Sequence, residues 1–144
     1  MKTVKIIYLI GTISFGIMCG LGHLAFELLG QKSNKIIQTM ENLTVSMPGR
    51  ETNMLLLDTG LSLVMGLMLL AYGVINLMII VKNKKLVLPP KNVILINIIF
   101  SLLAFILVYK YLFSVPIIFT GIAFLSFLTS YILYSKRVIQ TKNI

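Results

Sequence analysis

Long apolar segments alternate with shorter polar connections along the chain, at residues 6–29, 54–81, 92–113 and 115–135. Each segment is near or above the ~20 residues that an α-helix needs to cross ~30 Å of hydrocarbon. The pattern predicts an all-α protein whose single domain, residues 1–144, contains four transmembrane helices, called helices one to four below. Because the predicted connections suit antiparallel neighbours, we expect an up-down-up-down bundle.

The connection between helices one and two, residues 30–53, has a helical pattern of its own. Ser33-Asn34 is a candidate N-cap, and Pro48-Gly49 ends the run. Between them, apolar residues recur on one stripe of a helix at Ile36, Met40, Leu43 and Met47. This predicts a short amphipathic helix on the outer membrane surface or over the mouth of the bundle. The alternative is a solvated loop whose periodicity arises by chance.

Composition also indicates a membrane protein, since 58% of the residues are hydrophobic, 12% are charged and the mean hydropathy is +0.97. The net charge of +9 does not predict nucleic-acid binding, because the basic residues form short clusters between apolar segments. One cysteine, Cys19, provides neither a disulfide framework nor a paired metal-thiolate motif. The excess of lysine over arginine, with frequent Ile and Asn, favours a bacterial source.

Charge is distributed unequally between the two predicted sides of the membrane. One side has nine basic and no acidic residues: Lys2, Lys5, Lys82, Lys84, Lys85, Lys91, Lys136, Arg137 and Lys142. The other side has four basic and four acidic residues: Lys32, Lys35, Arg50, Lys110, Glu27, Glu41, Glu51 and Asp58. The positive-inside rule therefore predicts that both termini are cytoplasmic and that residues 30–53 are outside. With the bacterial source that the composition favours, the expected location is the bacterial cytoplasmic (inner) membrane.

Small residues mark the predicted packing faces, because membrane helices associate where their backbones approach closely. In helix one, Gly16 and Gly20 have the small-xxx-small spacing, and the same stripe continues to His23 and Glu27. Similar stripes contain Ser62, Gly66, Gly73 and Asn76 in helix two and Asn97 in helix three. Asn76 and Asn97 each lie six residues from a lysine at the inner boundary, so we expect an interhelical amide hydrogen bond with a structural role.

Polar residues of three helices fall at one depth near the outer boundary: His23, Glu27, Asp58 and Lys110. We expect His23 and Glu27 to point into the bundle, with Lys110 or Asp58 within reach. One interpretation is a binding pocket, since ionisable groups in membrane helices often mark functional sites. The alternative is structural, with residues that snorkel, an ion pair that fixes helix register, and His23 hydrogen-bonded to a serine or a carbonyl. No metal site is predicted, because a second imidazole is missing.

A resemblance rests on DTGLSLVMGLMLLAYGVINL, residues 58–77, together with the GxxHL string from Gly20 to Leu24. These strings resemble a family of small, uncharacterised four-helix bacterial membrane proteins. That family has a G-x-S-x-x-x-G-x-x-x-x-x-x-G-x-x-N pattern in its second helix, matched here at Gly60, Ser62, Gly66, Gly73 and Asn76. The resemblance implies four spans and no known activity. A looser similarity to four-helix families of the DoxX type would imply a redox or quinone connection. Small multidrug transporters differ, because their glutamate lies near mid-membrane and Glu27 does not.

Two function classes follow. The first is a non-enzymatic membrane component that assembles with a partner membrane protein or with itself, favoured by the small size and by the lack of catalytic motifs. The second is a binder or converter of an amphipathic small molecule, lipid-like or quinone-like, at the polar site near the outer boundary. No cofactor is predicted, and the lipid bilayer is the expected surrounding.

Overall fold

A computed structural model describes residues 2–30, 33–82, 85–111 and 114–142. It is mostly helical, at 86%. Within the described ranges, four helices are long and apolar enough to cross a membrane: Lys2–Leu29, Met54–Ile80, Lys91–Lys110 and Ser114–Lys136. Helix three continues to Tyr111 and helix four to Lys142. The predicted last residues of helix three, 112 and 113, lie outside the described residues, as do Lys32 and Lys84 of the charge distribution.

Helix one is not a uniform α-helix. Two α-helical parts, Lys2–Thr12 and Cys19–Leu29, flank a π-helical turn at Ile13–Met18. In this turn the Ser14 hydroxyl donates a hydrogen bond to the carbonyl oxygen of Phe119 in helix four, 2.9 Å away. The π-helical turn therefore lies where helix one contacts helix four, and such turns locally change the register of a helix.

Helix one lies between helices two and four and packs along both, while helix three packs mainly along helix four. The shared core contains Tyr8, Phe15, Ile80, Ile94, Ala123 and Phe127. The rings of Tyr8 and Phe127 lie 5.2 Å apart between their centroids. The Ser130 hydroxyl donates to the carbonyl oxygen of Val4 at 3.2 Å. Helices two and three, by contrast, approach each other closely at one end only.

The outward faces of the four helices carry many large apolar side chains. Leu67, Met68 and Met78 of helix two are 60%, 68% and 72% exposed. In water such a continuous apolar surface would be an aggregation hazard, whereas acyl chains solvate it well. The exposed surface is therefore compatible with a multi-pass membrane protein.

The connection between helices one and two contains the predicted helix in a shorter form, followed by a β-hairpin. The helix covers Asn34–Asn42, and the strands Thr44–Met47 and Arg50–Asn53 pair in antiparallel register. Two residues expected on the helix stripe, Leu43 and Met47, therefore lie outside the helix. The hairpin forms because Gly49, with φ of +83°, accommodates the left-handed turn conformation after Pro48.

The capping residues and first residues of the helices differ in detail from the predicted ones. Ser33 precedes the loop helix, but its side chain makes no capping hydrogen bond. Asn53, which was not singled out, caps helix two by accepting a hydrogen bond from the Leu56 N–H at 2.8 Å. Helix four begins at Ser114, one residue before the predicted segment, so Pro116 lies in its first turn, where proline loses no helical hydrogen bond. Between helices two and three, Val81–Lys82 pairs with Lys85–Leu86.

Candidate functional site

The seam between helices one and two is built on glycines. A Cβ atom added to Gly16 would lie 2.2 Å from the Cα of Gly73, and one added to Gly73 would lie 2.9 Å from the carbonyl carbon of Gly16. A Cβ atom added to Gly20 would lie 2.9 Å from the backbone nitrogen of Leu70. Gly66 faces the same seam, since its added Cβ would lie 3.5 Å from the carbonyl oxygen of Gly20. The two backbones therefore approach more closely than any larger residue allows.

Polar contacts continue this seam toward the end of the bundle that carries residues 33–53, called the loop end below. The Nε2 atom of His23 lies 3.1 Å from the Ser62 hydroxyl oxygen, with donor and acceptor set by the imidazole tautomer. The Thr59 hydroxyl donates to a carboxylate oxygen of Glu27 at 3.0 Å. Both pairs are half-buried. Thr59 was not among the predicted site residues, although it lies one turn before Ser62 on the same face.

The four candidate residues of the polar site lie on helices one, two and three. His23 and Glu27 contact helix two, where Asp58 is half-buried beside Thr59. Lys110 is exposed in the last turn of helix three, a helix that packs along helix four. The hydrogen bonds described above thus join His23 and Glu27 to Ser62 and Thr59 of helix two, and the reach of Asp58 or Lys110 to them stays a prediction.

The contact of His23 with Ser62 has the spacing of a nucleophile and its general base. Nucleophilic catalysis also needs donors aimed at the developing oxyanion. Ser62 lies inside the continuous helix Met54–Ile80, where the neighbouring backbone N–H groups are committed to helical hydrogen bonds. The geometry therefore fits an interhelical polar contact better than a catalytic pair.

A second polar cluster lies toward the opposite end of the bundle, is more completely buried, and contains Tyr8, Tyr72, Asn76 and Asn97. The Tyr8 hydroxyl and the Asn97 side-chain amide both donate to the side-chain oxygen of Asn76, at 2.6 and 2.7 Å. The Tyr72 hydroxyl donates to the side-chain oxygen of Asn97. The Asn76 amide donates to the backbone carbonyl of Tyr72 at 3.0 Å. The amide bond expected between the two asparagines is thus present, within a network that joins helices one, two and three.

The two tyrosines of this network were missed by the sequence analysis. A sequence signal exists for Tyr72, which lies one helical turn before Asn76 and so shares its face. Tyr8 gives no comparable signal, because a tyrosine near a helix end in a membrane protein is ordinarily assigned to the interfacial region.

An apolar groove of about 580 Å³ lies between helices two and three, where the two helices diverge. Its lining is almost entirely carbon. Helix two contributes Val64, Met65, Met68, Leu69 and Tyr72; helix three contributes Ile96, Phe100, Leu103, Ala104 and Leu107; and helix one contributes Phe15. Since the hydroxyl of Tyr72 bonds to Asn97, the polar network closes the groove at one end.

Helix register connects this groove with two of the predicted site residues. In helix two, Asp58 lies one heptad before Met65 and two heptads before Tyr72, both of which line the groove. In helix three, Lys110 lies one heptad after Leu103 and two heptads after Ile96, both of which line the groove. Residues seven apart share a helix face to within ~20°. Asp58 and Lys110 therefore lie on the same helix faces as the groove-lining residues, beyond the groove toward the loop end.

In the part of the chain that the structure describes, no group of three or more His, Cys, Asp or Glu side chains is placed to hold a metal ion. What the arrangement offers instead is a long apolar surface with polar groups at both ends. No known protein family, no curated protein and no solved structure matches this chain, so its function has to be inferred from this geometry.

Proposed function

We propose that the protein is a multi-pass protein of the bacterial inner membrane with an antiparallel up-down-up-down order and both termini in the cytoplasm. Contacts between the helices support the order: Tyr8 bonds to Asn76, Asn97 bonds to both of them, and Lys91 lies 5.1 Å from the ring centre of Tyr131. These contacts bring the beginnings of helices one and three beside the ends of helices two and four. The charge distribution supports the orientation.

The function that the geometry supports best is binding of an amphipathic molecule, lipid-like or quinone-like, whose apolar part occupies the groove between helices two and three. One observation carries this proposal, namely the groove itself, with its carbon lining and its volume of about 580 Å³. Small-molecule sites typically measure ~300–1,000 Å³ and are mostly apolar with a few polar groups. Here Tyr72 and Asn97 provide polar groups at the closed end, and Asp58 and Lys110 lie on the stripes above the other end.

Native mass spectrometry of gently extracted protein tests this function, because it detects molecules that remain bound. Leu103 lines the groove and Leu102 does not, although both are exposed leucines in one turn of helix three. We expect the wild type and Leu102→Trp to retain an amphipathic molecule and Leu103→Trp to lose it, because the indole would fill the groove. Equal retention by all three proteins would refute the binding function.

A second candidate is a non-enzymatic component that assembles with a partner membrane protein or with a second copy of the chain. It is favoured by two exposed glycines, Gly22 and Gly60, at which an added Cβ would meet nothing within 4 Å. Small residues on an outward face allow another helix to approach closely. The same mass spectra separate the two candidates, since a partner subunit or a dimer adds a protein mass and a bound lipid adds a small one.

A further inference from the structure

The loop helix Asn34–Asn42 leaves part of its apolar face uncovered. Two of its apolar residues, Ile37 and Met40, are half-buried. Ile36 and the C-cap residue Leu43 are each 54% exposed. These two residues are seven apart, so they lie on one side of the loop helix. Two large apolar side chains are therefore exposed together on that side.

The contacts of the loop helix place it beside the bundle and not over its mouth. Among the described residues, its main contacts are with helix two and with the second strand of the hairpin, Arg50–Asn53. A helix over the mouth would pack on the ends of several membrane helices. The uncovered face therefore lies on the flank of helix two, where lipid surrounds the bundle.

A backbone hydrogen bond fixes the depth of this face. The Met54 N–H donates to the carbonyl oxygen of Leu43 at 2.8 Å, so Leu43 lies level with the first residue of helix two. Met54 is 13 residues from Leu67, the middle of Met54–Ile80, and this length of α-helix measures ~20 Å. With helix two centred in a bilayer, the hydrocarbon extends ~15 Å from the centre and the head groups to ~20–22 Å. Leu43 therefore lies at the level of the lipid head groups.

The charges near this face favour neither an acidic nor a basic partner. Residues 33–53 contain two basic and two acidic residues: Lys35, Arg50, Glu41 and Glu51. A cluster of basic residues, which would recruit anionic lipids by charge, is not part of this segment. Attraction to a membrane has to come from the apolar side chains.

The neighbouring surface of helix two is also apolar. Leu56, in the first turn of helix two, is 59% exposed and continues the apolar surface of that helix up to the level of Leu43. Apolar faces of interfacial helices insert ~5–10 Å into the boundary between head groups and acyl chains. We propose that Ile36 and Leu43 insert into the lipid head-group layer, so that the loop helix lies on the membrane surface beside helix two and is held there independently of lipid charge.

Tryptophan fluorescence tests this placement, because the chain contains no tryptophan and an introduced one reports its own surroundings. Ile36→Trp and Leu43→Trp put the indole on the proposed surface. Gln38→Trp is the matched control, since Gln38 is exposed and lies ~160° from Ile36 around the same helix. The full chain of each variant is reconstituted into dioleoyl phosphatidylcholine vesicles with and without brominated phosphatidylcholine. Acrylamide, which is uncharged, serves as the aqueous quencher.

We expect Ile36→Trp and Leu43→Trp to emit at shorter wavelength than Gln38→Trp. Their emission should be quenched more by the brominated lipid and less by acrylamide than that of the control. The same result is expected in vesicles that also contain phosphatidylglycerol, because the charges of the loop balance. Thermal melting followed by circular dichroism shows that each variant is folded. If Leu43→Trp does not fold, Ile36→Trp and Gln38→Trp provide the test as a pair.

Three results would overturn the proposal. Equal wavelength and equal acrylamide quenching in all three variants would show that the face is in water and is left for a partner protein. Lipid quenching of Leu43→Trp without that of Ile36→Trp would show that the helix rises out of the membrane. Lipid quenching of Gln38→Trp as strong as that of Ile36→Trp would mean that the introduced indole, and not the native apolar face, enters the lipid. Quenching by lipid that requires phosphatidylglycerol would contradict the independence from lipid charge.

Discussion

The contact of Gly16 with Gly73 allows a quantitative prediction, because the smallest substitution, glycine to alanine, already exceeds the available space. A Cβ on Gly16 would lie 2.2 Å from the Gly73 Cα, against 3.4–4 Å for an ordinary contact. The obstructing atom belongs to the backbone of helix two and cannot rotate away. We therefore expect helices one and two to separate by about 1 Å in Gly16→Ala, with loss of dispersion contacts along the seam.

The expected loss in the free energy of unfolding of Gly16→Ala is the balance of two effects. Overpacking of a well-packed site typically costs ~1–3 kcal/mol, while alanine stabilises a helix relative to glycine by ~0.5–1 kcal/mol. The separation also strains the hydrogen bond from Tyr8 to Asn76, 2.6 Å long and one turn from Gly73. We expect Gly16→Ala to be destabilised by ~1–2 kcal/mol net, because the overpacking term is the larger.

Thermal unfolding in detergent, followed by circular dichroism, measures the effect. The matched control is Gly22→Ala in the same helix, where an added Cβ meets nothing within 4 Å and only the propensity term remains. Gly22→Ala should melt at or above the wild-type temperature, and Gly16→Ala and the bulkier Gly73→Leu should melt below it. If Gly16→Ala melts as high as Gly22→Ala, helices one and two do not pack on their glycines.

Three further predictions concern the polar contacts and the topology. Asn76→Leu and Asn97→Leu should each lower the free energy of unfolding by ~1–2 kcal/mol, because each change leaves buried polar groups of the network without a hydrogen-bond partner. The double variant should lose less than the sum of the two single losses. Additive melting shifts would contradict the network. His23→Ala and Ser62→Ala should show a coupling of ~0.6 kcal/mol, up to ~1.7, in a double-mutant cycle of unfolding free energies; a coupling of zero would mean that the two residues do not interact. In a cysteine-free background, Ser46→Cys should react with an impermeant thiol reagent on intact cells; reaction only after permeabilisation would reverse the proposed orientation.

The four apolar helices could be predicted because their length and hydropathy are set by the thickness of a bilayer, whatever the helices pack against. The hydrogen bond between Asn76 and Asn97 could be predicted from their depths, because each asparagine lies six residues from a lysine at the same membrane boundary. The hairpin after the loop helix was missed because the helical period of Leu43 and Met47 competed with the turn signal of Pro48-Gly49. Nearby β-branched residues, Thr44 and Val45, favour a strand, and the turn prevailed.

The groove was not predictable from hydrophobic pattern. In a soluble protein, an apolar face that lacks a partner contrasts with a polar surface, but in a membrane the lipid-facing and groove-lining residues are equally apolar. Met68 lines the groove and Met78 does not, yet both are exposed methionines of helix two, 68% and 72% accessible. Only the packing of helix three along helix four, away from helix two, distinguishes them.

The same packing decides which partners the predicted polar residues meet. By sequence, His23, Glu27, Asp58 and Lys110 fall at one depth, and depth is the coordinate that a helical sequence reports well. Their distribution around the bundle depends on which helices are neighbours, and that is decided by close contacts such as Gly16 with Gly73. Because the glycine seam draws helix two onto helix one, His23 and Glu27 are satisfied there by hydroxyl groups. Where Asp58 and Lys110 lie around the bundle is likewise set by the neighbours of helices two and three, which the hydrophobic pattern of a single helix does not report.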